Sequence, residues 1–376
     1  MTSSPDRPLF DPADFRIPTD VSHVCAGGET PFLWRHDEAL ARYAHDKSQG
    51  APGRDTQEAV LERTREQLAA LWGVQSDEIG WVSNVAEGVS LVLDSLRLQQ
   101  GDNICVMAIE YPSLVAPLLA RPQAEYETRL VSETGSAGLA AAVDENTRAI
   151  LVSYVSYLNG ERFDLQALRQ AADAVGALLV VDFTQAAGYL PIMASVADFA
   201  FSASYKWMLG MTGTASAYWN RQRVPEWQPL SAGWHSLASD STRYDEGIRL
   251  RPDAMRFSRG NPSHAGLYVL SSALDYLAGF DPVNIQAHVQ ALTTDLLARL
   301  AKKGVESTTP VDPVRHGASI CISRPDAHEL HALMGKAGVL TWNGRGRLRI
   351  SFHGYNCKTD VDRVEIALLD ALKSRP

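Results

Sequence analysis

The sequence predicts an α/β protein: a large domain with a mostly parallel sheet covered by helices, and a smaller C-terminal α+β domain. Three observations carry this reading. Short runs such as RAILVSYV (148–155) and ALLVVD (177–182) are almost wholly apolar. They lack the in–out alternation of a strand with one wet face, so both faces are buried, as in parallel sheets. Segments with helical spacing separate these runs, which is the order of βαβ units. The chain has 376 residues, enough for one large core and a second, smaller one.

Residues 1–30 are rich in proline, aspartate and glycine and read as an extended arm. The large domain follows over 31–262 and the small one over 263–376. IGWVSN (79–84) leads into AEGVSLVLDSLRL, and NICVMAI (103–109) leads into YPSLVAPLLA. RAILVSYV precedes DLQALRQAADAVG, where Leu165, Leu168 and Ala172 keep helical spacing, and ALLVVD comes next. ADFAFSAS (197–204) and GTASAYWN (213–220) complete the strand candidates of this part. Helical signal runs from His264 to Lys303, broken by GFDP at 279–282. GASICIS, DAHELHALMGKAG, RGRLRIS and DVDRVEIALLDALK then read as strand, helix, strand and helix.

The bulk numbers exclude several classes. Hydrophobic residues make up 45% and charged residues 21%, an ordinary globular balance that argues against disorder. A net charge of -9 with no long basic run argues against nucleic acid or an anionic membrane as the main partner. No run of eighteen apolar residues spans a membrane, and the N-terminus lacks a signal-peptide pattern. Cys25, Cys105, Cys321 and Cys357 are scattered without a C-x-x-C pair, so reduced thiols in a cytoplasmic protein are expected.

Common motifs fail. There is no G-x-x-x-x-G-K-[ST] loop and no G-x-G-x-x-G opening a helix after a strand, so neither a nucleotide hydrolase nor a dinucleotide site is supported. HELH (328–331) is not H-E-x-x-H, and His328 and His331 read as solvent-facing residues of an amphipathic helix; no metal site is expected.

The strand ends carry the chemistry. In doubly wound sheets ligands sit beyond the carboxyl ends of the strands. ALLVV ends on Asp182, with Gln185 three residues on; ADFAFSAS ends on Tyr205 and Lys206; NICVMAI is followed by Tyr111. SNVAEGVS opens a helix whose free N–H groups and dipole suit a phosphate. Each feature alone has a plain structural reading: a turn-capping aspartate, a packed tyrosine, a solvated lysine. Together they suit one cofactor. Burial of Lys206 among Tyr205, Trp207 and Met208 lowers its pKa and frees its amine. Pyridoxal 5'-phosphate needs such an amine for a Schiff base and a carboxylate to keep its ring nitrogen protonated. It also needs a face to stack on and an anion site. A cationic ring opposite Asp182 would justify burying that carboxylate.

On these residues the chain resembles a class V aminotransferase of the PLP-dependent aspartate aminotransferase superfamily, a group that also holds cysteine desulfurases, kynureninases and isopenicillin N epimerase-like proteins. The matching stretches run in order from LVSYVSYLNGERFDLQAL through GALLVVDFTQAAG, ADFAFSASYKWMLG and RFSRGNPSHAGL to GRLRISFHGYNCKTDVDRV. The resemblance implies the PLP-dependent transferase fold. It gives Lys206 the cofactor aldehyde and the moving proton, Asp182 the ring nitrogen, Gln185 the ring hydroxyl, and Tyr111 the ring face. Val85 and Ala86 would give N–H groups to the phosphate, with the Tyr205 hydroxyl and the Trp234 indole nearby. Asn261 would reach the phosphate across the interface of a homodimer. Arg349 would grip the substrate's α-carboxylate. Period-two spacing places Arg345, Arg347 and Arg349 on one strand face, the other two being solvated or in contact with a distal substrate group.

AGVLTWNGRGRLR contains no cysteine where persulfide-forming desulfurases carry one, and Cys357 lies after Arg349. Tyr111 and Tyr205 stand where desulfurases tend to have histidine, Gln185 where kynureninases do, and Tyr157 where desulfurases have an asparagine that helps hold the carboxylate. The expected activity is an aminotransferase acting on an amino acid; a Cβ–S lyase, an epimerase-like or a kynureninase-like enzyme is the alternative.

Overall fold

The computed structural model describes residues 5–122, 126–133, 135–238 and 243–374. The first four residues of the arm lie outside these. A two-residue strand, β1 (Ser22–His23), is followed by two helices, α1 (Arg35–Lys47) and α2 (Ala51–Trp72). Next come β2 (Ile79–Val82), α3 (Val85–Ser95), β3 (Asn103–Met107), α4 (Pro112–Leu119), β4 (Glu127–Val131), α5 (Gly135–Ala141) and β5 (Thr147–Ser153). The large sheet is completed by β6 (Leu178–Asp182), after α6 (Leu165–Val175), and by β7 (Phe199–Ala203) and β8 (Ala215–Trp219). Helices α7 (His264–Leu277) and α8 (Pro282–Lys302) lead to β9 (Ser319–Ser323), α9 (Ala327–Lys336), β10 (Val339–Leu340), β11 (Trp342–Gly344), β12 (Arg347–Ser351) and α10 (Lys358–Lys373).

The large sheet has seven strands in the order β2-β8-β7-β6-β5-β3-β4. Only β8 runs antiparallel to its neighbours. The sheet is therefore mostly parallel, and β2, β3, β5, β6 and β7 all end at the same edge. Alternate residues explain the unbroken apolar runs. Ile150, Val152, Leu179 and Val181 join one core layer with Trp72, while Ala149, Leu151, Val180 and Phe201 join another with Val89. Burial of both faces removes the polar alternation that one wet face would impose.

Local signals set the helix ends. Asp164 caps α6 by accepting from the N–H groups of Gln166 and Ala167, and Gly176 ends it in the left-handed region at φ 71°. Asp281 caps α8, with Pro282 in its first turn. Several elements go beyond the strand-and-helix order expected from sequence, and two of them show why. Helix α2 buries Val60, Leu61, Thr64, Leu68 and Trp72 at helical spacing, diluted by many charged residues. Strand β4 is a polar edge strand, ETRLV, with Leu130 exposed.

In the C-terminal region, β9, β12 and β11 form an antiparallel sheet in the order β11-β12-β9. The N-terminal segment is stitched to it. Strand β1 pairs in parallel with β10, and the Ser351 N–H donates to the Val24 carbonyl. The sequence expectation for the arginines needs correction here. Strand β12 begins at Arg347, while Arg345 sits in the β11–β12 turn with φ 53° and Gly346 follows at φ 71°. A two-residue hairpin turn demands positive φ, so the period-two series stops at Arg347.

Candidate active site

Asp182 ends β6 and is 4% exposed; its Oδ1 accepts from the Thr184 N–H at 2.8 Å. Burial pushes its carboxyl above the usual range, and Lys206 only partly offsets this. Lys206 lies in the loop between the antiparallel pair β7 and β8 and is 5% exposed. Its Nζ has no hydrogen-bond partner among the described residues. It stands 5.5 Å from the Tyr111 ring centroid and 5.4 Å from that of Tyr205. Burial, reinforced by the positive charge of Arg349, lowers its pKa to about 7, against opposing pulls from Asp182 and Glu29.

Tyr111 precedes α4, whose Pro112 fixes the first turn. Its N–H donates to Oε1 of Glu110 at 2.6 Å. Glu110 is buried and also accepts from the Ser153 N–H and hydroxyl, at 2.9 and 2.6 Å. One carboxyl thus ties the end of β3 to the end of β5 and holds Tyr111 between them. Burial raises the Glu110 pKa, against its hydrogen bonds.

Gln185 is held at both ends of its amide. It donates to the Gly27 carbonyl at 2.9 Å and accepts from the Trp207 indole at 3.1 Å. Arg349, on β12, is 5% exposed; it donates to the Tyr157 carbonyl at 3.1 Å, while its Nε is buried without a partner. Tyr111, Gln185, Tyr205, Lys206 and Arg349 line one cavity of about 310 Å³.

The N-terminal segment completes this cavity, which sequence reading did not foresee. Thr30 donates to the carbonyls of Tyr205 and Lys206, at 3.1 and 2.9 Å. Glu29 lines the mouth. Gly27 is tight: a Cβ there would come within 2.7 Å of Ser351 Oγ and 3.2 Å of Arg349 Nε. The adjacent glycines in CAGGET were the available signal, because close backbone approach needs a missing side chain.

Helix α3 starts at the same sheet edge. Asn84 Oδ1 accepts from the Glu87 N–H, and Glu87 Oε2 accepts from the Ser83 N–H. The N–H groups of Val85 and Ala86 are left with no acceptor among the described residues. Arg259 pairs with Glu87 at 2.7 Å and carries the segment before Asn261 to this helix.

Trp234 and Asn261 are not brought to the Lys206 cavity. Trp234 is 60% exposed and lines a different cavity with Arg54 and His235. Asn261 accepts from the Arg54 guanidinium, which sits 5.9 Å from the Trp234 ring. His328 is exposed as expected. His331 instead is half-buried, its Nδ1 3.0 Å from the Thr341 hydroxyl, because β10 brings Thr341 against α9.

The residues present fit pyridoxal phosphate. A free buried amine, a buried carboxylate without a bonded cation, a half-buried aromatic and two open N–H groups at a helix start stand at one sheet edge. These are the donor types that the aldehyde, ring nitrogen, ring face and phosphate require.

Comparison with known proteins agrees. The family profile of class-V aminotransferases matches residues 37–364. A probable cysteine desulfurase from Methanothermobacter thermautotrophicus is 28% identical over 326 residues, covering 80% of this chain and 81% of that protein. The fold matches the apo structure of cysteine desulfurase from Thermococcus onnurineus NA1 with a TM-score of 0.87 at 19% identity, over 99% of this chain and 100% of that one. It also matches a C-DES variant with glycine covalently linked to its PLP cofactor, with a TM-score of 0.86 at 18% identity, over 96% and 99%.

Proposed function

The chain belongs to the class-V aminotransferase family, a pyridoxal 5'-phosphate-dependent group, and from that premise we propose that it is an aminotransferase acting on an α-amino acid, with Lys206 as its reactive amine. The observation that carries the reading is the state of that side chain: buried, without a hydrogen bond among the described residues, and lowered to about 7. When bound, the cofactor supplies an aldehyde that condenses with amines and a ring that accepts electron density from the substrate Cα.

This chain's residues do the rest. Near neutral pH Lys206 offers a free amine that takes a proton at Nζ and returns it. Asp182 would hold the proton on the ring nitrogen. The Val85 and Ala86 N–H groups, with the Tyr205 hydroxyl, would hold the phosphate, and Tyr111 would cover the ring. Gln185 would face the ring hydroxyl. Arg349 would bind the substrate carboxylate with donors that nothing acidic occupies.

A homodimer accounts for the residues left outside the cavity. Trp234, Tyr244 and Ile248 are exposed apolar side chains that line a cavity with Arg54, which reaches Asn261. Contact with a second copy would cover them and bring Asn261 and Trp234 to the neighbour's phosphate site. No described helix is long and apolar enough to cross a membrane. The four cysteines are unpaired, which supports the cytoplasm.

A Cβ–S lyase is the second reading, favoured by the desulfurase relative. Among the described residues no cysteine lines the cavity, and burial raises the thiol pKa of Cys25 and of Cys321, which argues against a persulfide relay there. An amino-acid panel run with and without a keto acid tests the choice. Keto-acid-dependent product is expected. Release of ammonia or sulfide without a keto acid would replace the aminotransferase with a lyase, and chirality change alone would indicate an epimerase.

A further inference from the structure

The cavity is built with more positive charge than one α-carboxylate can use. Arg345, Arg347 and Arg349 all line it, and Glu29 is the only carboxylate that does so among the described residues. Glu29 interacts with Lys206 and forms no ion pair with an arginine among the described residues. Among the described residues neither Arg347 nor Arg349 forms an ion pair with an aspartate or glutamate, and Lys206 adds a further cationic neighbour to Arg349. Both Nε atoms are buried without a hydrogen-bond partner. Among the described residues Arg347 donates to the carbonyls of Leu158 and Arg345, each at 2.9 Å. Elsewhere the buried guanidinium groups of Arg65 and Arg169 have carboxylates at 2.8 and 2.6 Å. Leaving an arginine half-buried and uncompensated is costly unless a ligand completes it.

The layout gives the second site a direction. Tyr157 stands edge-on to Tyr111 with ring centroids 4.9 Å apart, and both line the Lys206 cavity. The Arg345 and Arg347 guanidinium carbons lie 5.6 and 5.9 Å from the Tyr157 ring centroid. Arg345 is presented there from a left-handed turn position, where a non-glycine residue is strained. Tyr111 and Tyr157 therefore lead from the amine to a pair of arginines that the α-carboxylate does not need.

We propose that Arg347, assisted by Arg345, binds a second anionic group of the substrate, so that the amino acid this site takes carries an acidic side chain: a carboxylate, or a sulfinate of similar reach. Arg349 holds the α-carboxylate, and the proposal rests on the PLP reading of the Lys206 site. It deepens that reading by naming the substrate class.

The test uses holoenzyme and begins with its visible absorbance and borohydride labelling of Lys206. If neither is seen, the PLP reading falls and this inference with it. With the cofactor in place, L-aspartate, L-glutamate and L-cysteine sulfinate are titrated against L-asparagine, L-glutamine and L-alanine, following the absorbance change. Succinate and glutarate are compared with butyrate and valerate as amine-free competitors. The acidic ligands are expected to bind at least about tenfold more tightly than their neutral counterparts. Sulfinate preferred over carboxylate, or the reverse, identifies which acid is meant. Arg347→Gln is expected to bring the acidic-to-neutral ratio within about twofold, and Arg347→Lys to restore part of it. Equal binding of acidic and neutral ligands to wild-type holoenzyme overturns the inference and leaves the PLP reading intact; so does an Arg347→Gln variant that keeps the full preference. The competitor series needs no variant, so a misfolded Arg347→Gln chain leaves the test decisive.

Discussion

Two clusters of buried charge lie at opposite ends of the large sheet's strands, and they are finished differently. Where β7 begins, Asp198 accepts from Arg169 at 2.6 Å, from Arg223 Nε at 2.8 Å and from the Leu179 N–H at 2.7 Å. Where β6 and β7 end, Asp182 accepts from one loop N–H, Lys206 Nζ has no hydrogen bond among the described residues, and Arg349 Nε is an orphan. The first cluster is closed and needs nothing further. The second is open, and its Lys206 and Arg349 line one cavity. Satisfied buried charge holds strands together; unsatisfied buried charge is tolerated where a ligand will complete it.

The largest expected effect breaks the open cluster. Lys206→Ala should lower turnover by at least about 10⁴-fold, because both the amine and its proton transfer are removed. The thermal midpoint of the apoprotein should not fall, since only an unbonded buried amine is lost; a collapse of the fold would mean that Lys206 has a structural role. Matched aspartates sharpen the comparison. Asp198→Asn should cost about 3–5 kcal/mol in urea unfolding by stranding Arg169 and Arg223. Asp182→Asn should leave apoprotein stability at neutral pH unchanged or higher, while turnover falls about 10²-fold or more. Equal destabilisation by the two variants would erase the distinction between the clusters.

The pH dependence follows from Lys206. Its pKa in the fold is about 7, below the ordinary 10.5. A depressed amine stabilises the fold, relative to its protonated form, above the unfolded value, and that contribution is lost as pH falls from 10.5 towards 7. The stability gap between apoprotein and Lys206→Met should therefore be widest at and below pH 7 and close towards pH 10. Cofactor uptake by apoprotein should quicken with rising pH through about 7, as the free amine appears. A pH-independent gap would put the ammonium in a solvated place.

Smaller effects probe how the N-terminal segment serves the open cluster. Gly27→Ala should raise the KM for amino acids several-fold, at about 1–3 kcal/mol of stability, because its Cβ crowds Ser351 and Arg349. Unaltered KM would show that Arg349 has room to move.

The open cluster was largely legible in the sequence because its members follow strands directly. Asp182, Tyr111 and Lys206 are placed by the ends of β6, β3 and β7, and strand ends can be read from apolar runs. Glu29 and Thr30 were not legible as site residues, because no local pattern marks them. Thr30 meets the carbonyls of Tyr205 and Lys206 only through tertiary packing across the chain. Glu110 was missed because a single acid beside a tyrosine looks like an ordinary turn until β5 is beside it. Arg345 was misplaced because spacing of two cannot reveal where a strand yields to a hairpin turn. Helix α2 is hard to read because charged residues interrupt its apolar positions throughout the first five turns.

The pairing of β1 with β10 has a consequence for synthesis. A ribosome releases the Lys206 loop long before it has made β10 and β12, so the segment that clamps this loop has nowhere to dock until those strands emerge. A nascent chain halted before β10 would hold the reactive amine without its cover or its guanidinium partner. Coenzyme retention would then mark polypeptides in which β1 and β10 have already met.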